Sequence, residues 1–217
     1  SARHRARTLL RYRHIETTQR LFARWKLRLD PMFPRLAAFV KNPRRILDIG
    51  CGYGVPSVWL LELFPSATVL GLDPDEERVR IAGHALGPRG EVRQGRAPEL
   101  GELPGGADTV LVLDIIHMLD DRELGETLAH LHDKLLAGGR LVMRATIPKE
   151  GERPWMRRLE ELRLKRFGLS PHYRSRDAIE VMIRATGFGI EDVEAAAPGS
   201  EEVWFVAERR QSGGAEP

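Results

Sequence analysis

The sequence predicts an α/β chain: a doubly wound, seven-stranded, mostly parallel sheet with an antiparallel terminal hairpin, preceded by an N-terminal helical cap. Three observations predict it. From residue 45 on, short apolar segments alternate with amphipathic ones across short connections, the pattern of a parallel sheet covered on both faces. The last two apolar segments, 190–195 and 203–208, have no helical segment between them and so pair as an edge hairpin. The first 43 residues carry helical periodicity and dense arginine but no strand signal.

The elements follow in order. Residues 5–29 read as helical, bent near 13–16, and Asp30-Pro31 starts a third helix to about residue 40, with Asp30 as N-cap, Pro31 at the first helical position, and Met32, Leu36, Phe39 and Val40 inward. Asn42-Pro43 stops it. Residues 45–49 form a short apolar strand running into a glycine cluster; 56–64 form a helix and 67–72 a second strand. Residues 75–86 form a helix with acids in its first turn, the end that favours negative charge. Residues 91–94 are a weak third strand, and 109–113, almost wholly apolar, read as a central parallel strand. A helix over 122–135 is expected to close at Gly138-Gly139, followed by a strand over 140–146. Helices are expected over 154–167 and 175–186, the latter ended by Gly187. This divides the chain into a basic helical cap (1–43), a ligand-binding α/β domain (44–210) containing a substrate cap (148–175), and a disordered tail (211–217).

Composition narrows the function classes. Of 217 residues, 42% are hydrophobic and 30% charged, as in water-soluble globular domains. One cysteine, Cys51, excludes a disulfide framework and a cysteine-rich zinc site, and no metal is expected. It fits a reducing compartment such as the cytoplasm. No apolar run reaches the roughly 18 residues that span a bilayer, and no signal peptide is visible. The net charge of +3 hides an asymmetry. Residues 1–45 hold 13 basic and 2 acidic side chains (+11); the remainder holds 21 basic and 29 acidic (−8). Such an arm suits an acidic neighbouring surface, an anionic membrane surface or nucleic acid. The start at Ser1 fits a processed form, a tag remnant or a domain of a larger polypeptide.

The chemistry concentrates in two places. In Asp48-Ile49-Gly50-Cys51-Gly52-Tyr53-Gly54 a strand delivers an acid, then glycines at alternate positions, then a helix. Glycines let the backbone turn tightly and approach a ligand closely. A dinucleotide fingerprint would need a third glycine at 55 or 57, where Val55 and Ser57 stand. Asp48 at the strand end would repel a phosphate and welcome an ammonium group. About twenty residues on, a second strand ends in Asp73, followed by Pro74, where a carboxylate can accept from both hydroxyls of a ribose.

The segment 48–54 resembles the first motif of class I, Rossmann-like S-adenosylmethionine-dependent methyltransferases, and the resemblance continues across residues 44–208. It implies that Asp48, Gly50, Cys51, Gly52, Tyr53 and Gly54 surround the cofactor and that Asp73 and Pro74 hold its ribose. It places Arg96 and Ala97 beside adenine, although Arg96 stands where the family has an acid that accepts from the adenine amino group, which arginine cannot do. Asp114-Ile115-Ile116-His117 matches the loop after strand four, beside the methionine portion. Leu135 to Leu141 resembles the turn before strand five, and Ala185-Thr186-Gly187-Phe188 the turn before the hairpin.

The implied reaction is in-line transfer of a sulfonium methyl, leaving S-adenosylhomocysteine. His117 is the expected base, with Asp114 orienting substrate or accepting from the cofactor's amino group. Tyr12, Trp25, Lys26, His117, Trp155 and Tyr173 are the expected substrate residues. The acceptor is expected to be a small molecule, phenolic or fatty-acyl and lipid-like; residues 25–31 resemble methyltransferases that accompany aryl-polyene or fatty-acid-like assembly enzymes. The Asn/Asp-Pro-Pro-aromatic motif of exocyclic-amine methylation is absent after strand four, and Cys51 lies inside the glycine loop, unavailable as a pyrimidine nucleophile. Two alternatives stay open: an RNA methyltransferase that holds phosphates with the basic arm, and a non-catalytic cofactor-binding domain. The arm also makes peripheral contact with a membrane surface conceivable.

Overall fold

The computed structural model describes residues 2–100, 102–148 and 171–210. Three helices open the chain: α1 (Ala2–Leu10), α2 (Thr17–Leu29) and α3 (Met32–Phe39). The bend expected near 13–16 is a turn over 11–16 between α1 and α2. Pro31 occupies the cap position of α3 rather than its first turn. Asp30 still serves the helix start, accepting from the N–H of Met32 at 2.9 Å. Phe33 joins Met32, Leu36 and Phe39 on the buried face of α3.

The α/β body then runs β1 (Arg45–Ile49), α4 (Val55–Leu63), β2 (Thr68–Asp73), α5 (Glu76–Leu86), β3 (Gly90–Gln94), β4 (Ala107–Leu113), α6 (Asp121–Lys134), β5 (Leu135–Thr146), α7 (Arg176–Ala185), β6 (Phe188–Ala195) and β7 (Glu202–Arg209). The sheet order is β3-β2-β1-β4-β5-β7-β6. β1 to β5 are parallel; β7 inserts antiparallel between β5 and β6. Strand order reverses between β1 and β4, the switch point beyond which ligands bind in such sheets.

Local chemistry explains the helix starts. Asp75 caps α5 by accepting from the N–H of Arg78 (2.9 Å). Asp120 and Glu123 form a reciprocal capping box on α6. Ser175 caps α7. One expectation is corrected. α6 does not close on Gly138-Gly139: it ends at Lys134, and Leu135 already pairs with Ala107 in the sheet. The two glycines lie inside β5, where the register slips between Ala107 and Thr109. Gly138 takes φ +77°, and a Cβ on Gly139 would stand 2.8 Å from the carbonyl oxygen of Leu136, so the pair bends a strand rather than capping a helix. The helix expected over 154–167, with Trp155, lies outside the described residues.

The sheet separates two apolar layers. On one side α1, α2 and α3 pack with α4 through Tyr12, Leu27, Phe33, Leu36 and Trp59. On the other, Leu124, Leu128 and Leu131 of α6 pack with Ile179 and Ile183 of α7. α4 is buried on nearly every face because the N-terminal helices cover the side that the sheet does not. Glu62, also on α4, is buried there with Arg7 at 2.7 Å and Arg11 at 3.1 Å. Part of the arm's charge is thus neutralised by the body; Arg35 similarly meets Glu194 at 2.6 Å.

Candidate functional site

At the carboxyl end of β1 the backbone turns on itself. The N–H groups of Gly50 and Cys51 both donate to the carbonyl of Leu72 at 2.8 and 3.0 Å, and that of Gly54 donates to Cys51 at 2.9 Å. Gly50, Gly52 and Gly54 all have positive φ (71°, 56° and 73°), which side chains disfavour. Their surroundings differ. A Cβ on Gly50 would strike Ile115 at 2.6 Å, and one on Gly54 would press on Ala82 at 3.1 Å, so these two glycines serve packing. A Cβ on Gly52 meets nothing within 4 Å: the loop is open there.

Two acids frame this opening. Asp73, ending β2, accepts from the N–H of Gly52 (2.8 Å) through Oδ2 and from that of Asp75 (3.1 Å) through Oδ1. Arg78 stands 3.9 Å away. Asp48 is buried under the loop, and Ser57 Oγ donates to its Oδ2 at 2.5 Å. Burial pushes the Asp48 carboxyl up to about 6; the Ser57 hydrogen bond opposes this, and the nearby charge of Asp73 adds to it. Cys51 is buried, and its thiol is raised by burial and by both acids, which makes it inert.

The arm reaches the same loop. Tyr12 is fully buried and its hydroxyl donates to the carbonyl of Tyr53 at 2.8 Å. Burial, with Cys51 and Asp48 behind it, holds that phenol protonated. The ring of Tyr53 stands edge-on to Phe22 of α2 at 5.3 Å, and the Arg78 guanidinium lies 5.9 Å from its centroid. Gln19, one turn before Ala23 on α2, donates to Glu77 at the start of α5 (2.8 Å). α2 therefore crosses the carboxyl end of the sheet. Lys26 pairs with Asp30 at 3.2 Å, whereas Trp25 is 54% exposed on the outer face of α2.

The turn after β4 supplies the other wall. Asp114 takes φ +61°, and both its oxygens are bound by Arg144 of β5, Nε at 2.7 Å and Nη2 closer still. Arg144 also binds Asp30 through Nη1 and Nη2 at 2.7 and 2.9 Å and lies 5.5 Å from the Trp204 ring. Burial works against the Arg144 charge, but the two carboxylates outweigh it and raise its pKa further. For Asp30, burial pushes upward and the bonds from Arg144 prevail, holding the carboxyl below its usual range. The buried pair Arg144–Asp30 thus ties the cap to the turn after β4.

His117, in that turn, is half-buried and stacks on Tyr173 with centroids 5.9 Å apart and planes 17° from parallel. Its carbonyl accepts from the N–H of His172 at 2.7 Å. Arg174 fastens the two segments. It binds the carbonyls of Ile116 (3.1 Å), His172 (2.9 Å) and Leu119 (2.7 Å), and meets Asp121 at 2.7 Å.

The structure thus brings Asp48, the glycine loop, Asp73 and Tyr12 together, and separately pairs His117 with Tyr173. Pro74 is exposed beside Asp73, and its carbonyl accepts from Gln94 at 3.1 Å. Ala97 is buried, while Arg96 turns outward with Nη2 3.6 Å from Glu123 of α6. Ser57, Phe22, Arg144 and Arg174 were not anticipated. A lone arginine in the apolar run Leu141-Val142-Met143-Arg144-Ala145 is the one signal that could have found Arg144. Among the described residues, no cluster of three or more His, Cys, Asp or Glu side chains can hold a metal ion. Among them, too, no helix is long and apolar enough to cross a membrane.

Comparison with known proteins gives a consistent picture. Residues 46–139 match the family model described as "Methyltransferase domain". The chain is similar to the trans-aconitate 2-methyltransferase of Deinococcus radiodurans, 33% identical over 99 residues, 46% of this chain and 36% of that one. It is similar to the phenazine O-methyltransferase of Lysobacter antibioticus, 27% identical over 162 residues, 72% of this chain and 46% of that one. Among solved structures, an O-methyltransferase family protein from Burkholderia thailandensis superposes with a TM-score of 0.69 at 19% identity, covering 94% of this chain and 63% of that one. The chain therefore spans less than two thirds of the length of each of these proteins.

Proposed function

We propose that the chain, whose residues 46–139 match the methyltransferase-domain model, is a class I S-adenosylmethionine-dependent methyltransferase that transfers a methyl group to a small-molecule acceptor, a phenol or a lipid-like fatty-acyl compound. The observation that carries the proposal is the open backbone at Gly52 between Asp48 and Asp73. A nucleoside laid against Gly52 brings its ribose hydroxyls to Asp73, whose oxygens already accept backbone N–H bonds and have further lone pairs. Asp48 supplies negative charge beneath the loop, suited to a cationic amino acid group. When bound, S-adenosylmethionine supplies an electrophilic methyl on a sulfonium centre. The chain's residues then hold and exclude: α2 closes the carboxyl end of the sheet from one side, and the His117–Tyr173 stack bounds it on the other. His117 is the group that takes the acceptor's proton, on an imidazole nitrogen. Tyr12 and Lys26 act from the cap, and Asp114 through its pairing with Arg144.

Arg7, Arg11 and Arg35 of the arm are engaged by Glu62 and Glu194 and so are not free to hold RNA phosphates. The relatives with named substrates, trans-aconitate and phenazine methyltransferases, also act on small molecules by their names. A single buried thiol suits a reducing compartment, the cytoplasm. Isothermal titration with S-adenosylhomocysteine, with NADH as control, tests the cofactor. Binding of the first alone is expected, and Gly52→Val should abolish it by filling the opening. Transfer of labelled methyl to a panel of phenols and fatty-acyl compounds tests the reaction. Cofactor binding with no transfer to any acceptor would leave a binding domain instead of an enzyme.

A further inference from the structure

α2 presents two faces. Gln19, Ala23 and Leu27 are buried against the body. On the outward side Leu21, Phe22, Trp25 and Leu29 are 44%, 45%, 54% and 68% exposed; Leu21, Trp25 and Leu29 form a stripe at i, i+4 and i+8, with Phe22 beside it. Next to it on the helical wheel runs a second stripe, Arg20, Arg24 and Arg28, all exposed and with no ion-pair partner among the described residues. These arginines differ from Arg7, Arg11 and Arg35, which the body neutralises.

We propose that α2 is an interfacial anchor that seats this domain on an anionic lipid surface, with Trp25, Leu21 and Leu29 entering the headgroup boundary and Arg20, Arg24 and Arg28 pairing with lipid phosphates. Aromatic and leucine side chains beside arginine on one exposed helix face are what such anchors need. Neither stripe binds durably by itself; the combination supplies the two signals that stable peripheral attachment requires. Charge decides the occupant. The arginine row calls for a negative partner, and an antiparallel isologous contact between two copies centred on this stripe would set one row of arginines beside the other. The placement also suits an acceptor that resides in the bilayer. α2 crosses the carboxyl end of the sheet, and Phe22 joins the stripe to Tyr53 of the glycine loop. Seated through α2, the domain would hold that end of the sheet against the lipid.

The test is co-sedimentation of the full chain with vesicles of phosphatidylcholine alone and with phosphatidylcholine–phosphatidylglycerol vesicles, at low and high salt. Binding to the anionic vesicles at low salt is expected, with little binding to neutral ones and loss at high salt. R20E/R24E/R28E should lower partitioning by about 100-fold or more. L21S/L29S should lower it by about tenfold or more through the apolar term. These side chains are exposed, so both variants should keep the parent's circular dichroism and thermal midpoint, which checks folding apart from binding. Equal partitioning into neutral and anionic vesicles would overturn the proposal, as would no partitioning into either. So would a dimer in sedimentation equilibrium that L21S/L29S dissociates, because a second copy would then cover the stripe. Vesicle binding is read without turnover, so its outcome stands apart from that of the methyl-transfer assay.

Discussion

Asp48 is a carboxylate that folding makes harder to ionise. Its pKa rises from 3.8 to about 6, chiefly through burial. Between about pH 4 and pH 6 the folded chain keeps a proton that the unfolded chain has released. The group's contribution to stability is therefore greatest below pH 4, declines as pH rises to about 6, and stays unfavourable above it. Asp48→Asn removes that decline. Thermal unfolding should show the variant more stable than the parent at pH 7.5, by about 3 kcal/mol as an upper figure from the size of the shift, and unchanged at pH 4. A parent curve flat between pH 4 and pH 7 would contradict this. Asp73→Ala should weaken S-adenosylhomocysteine about 10- to 100-fold in titration, the loss of charge-assisted hydrogen bonds. Unchanged affinity would remove Asp73 from the ribose. Much of this neighbourhood was legible: an acid, alternating glycines and a second acid twenty-five residues on are local patterns with local physics. Ser57 was not, since its bond to Asp48 needs the first turn of α4 to fold back over β1.

The elements carry a different lesson. The parallel strands and the terminal hairpin could be read because apolar runs and their spacing determine them. The end of α6 could not, because the glycines at 138 and 139 read alike as a helix stop or as a bend within a strand. Only pairing of Leu135 with Ala107 decides between them. The joint between the β4 turn and residues 171–175 was equally hidden, since it rests on one arginine finding three carbonyls. Arg174→Ala leaves those carbonyls without their charged donor. Amide exchange at residues 116–119 and 172–173 should accelerate, and methyl transfer should slow with little change in S-adenosylhomocysteine affinity. Exchange that stays at the parent's rate would show the turn to be held by packing alone. His117→Ala should likewise slow turnover and spare cofactor affinity; full activity would dismiss it as the base.

At the scale of the whole molecule, the N-terminal helices share a core with the α/β body. Tyr12, Leu27, Phe33 and Leu36 are buried with Trp59 and Trp204, and Glu62 is covered by Arg7 and Arg11. Removing residues 1–16 would expose the side of α4 that α1 covers and take from Glu62 its two cations. Truncated chain should therefore be insoluble or melt well below the parent in calorimetry, through the lost apolar cover. A truncation that kept the parent's melting temperature would show the arm to be an appendage. The charge asymmetry of the sequence left an acidic neighbour as one of three partners for the arm. Which arginines meet acids depends on the register of α1 against α4, and that no periodicity reveals.

The hydroxyl of Tyr12 rests on the carbonyl of Tyr53, and Phe22 on the ring of the same residue. One residue of the glycine loop is thus gripped twice by the helices that precede the sheet. Whatever leans on those helices from outside works a lever whose short arm is the glycine loop. By thermodynamic reciprocity, a load on the outer face that alters cofactor affinity by some factor must itself be tightened or loosened by the cofactor to the same degree. Under the proposed anchoring, a cofactor that tightens the loop's grip on these helices would tighten attachment to the surface by the same factor.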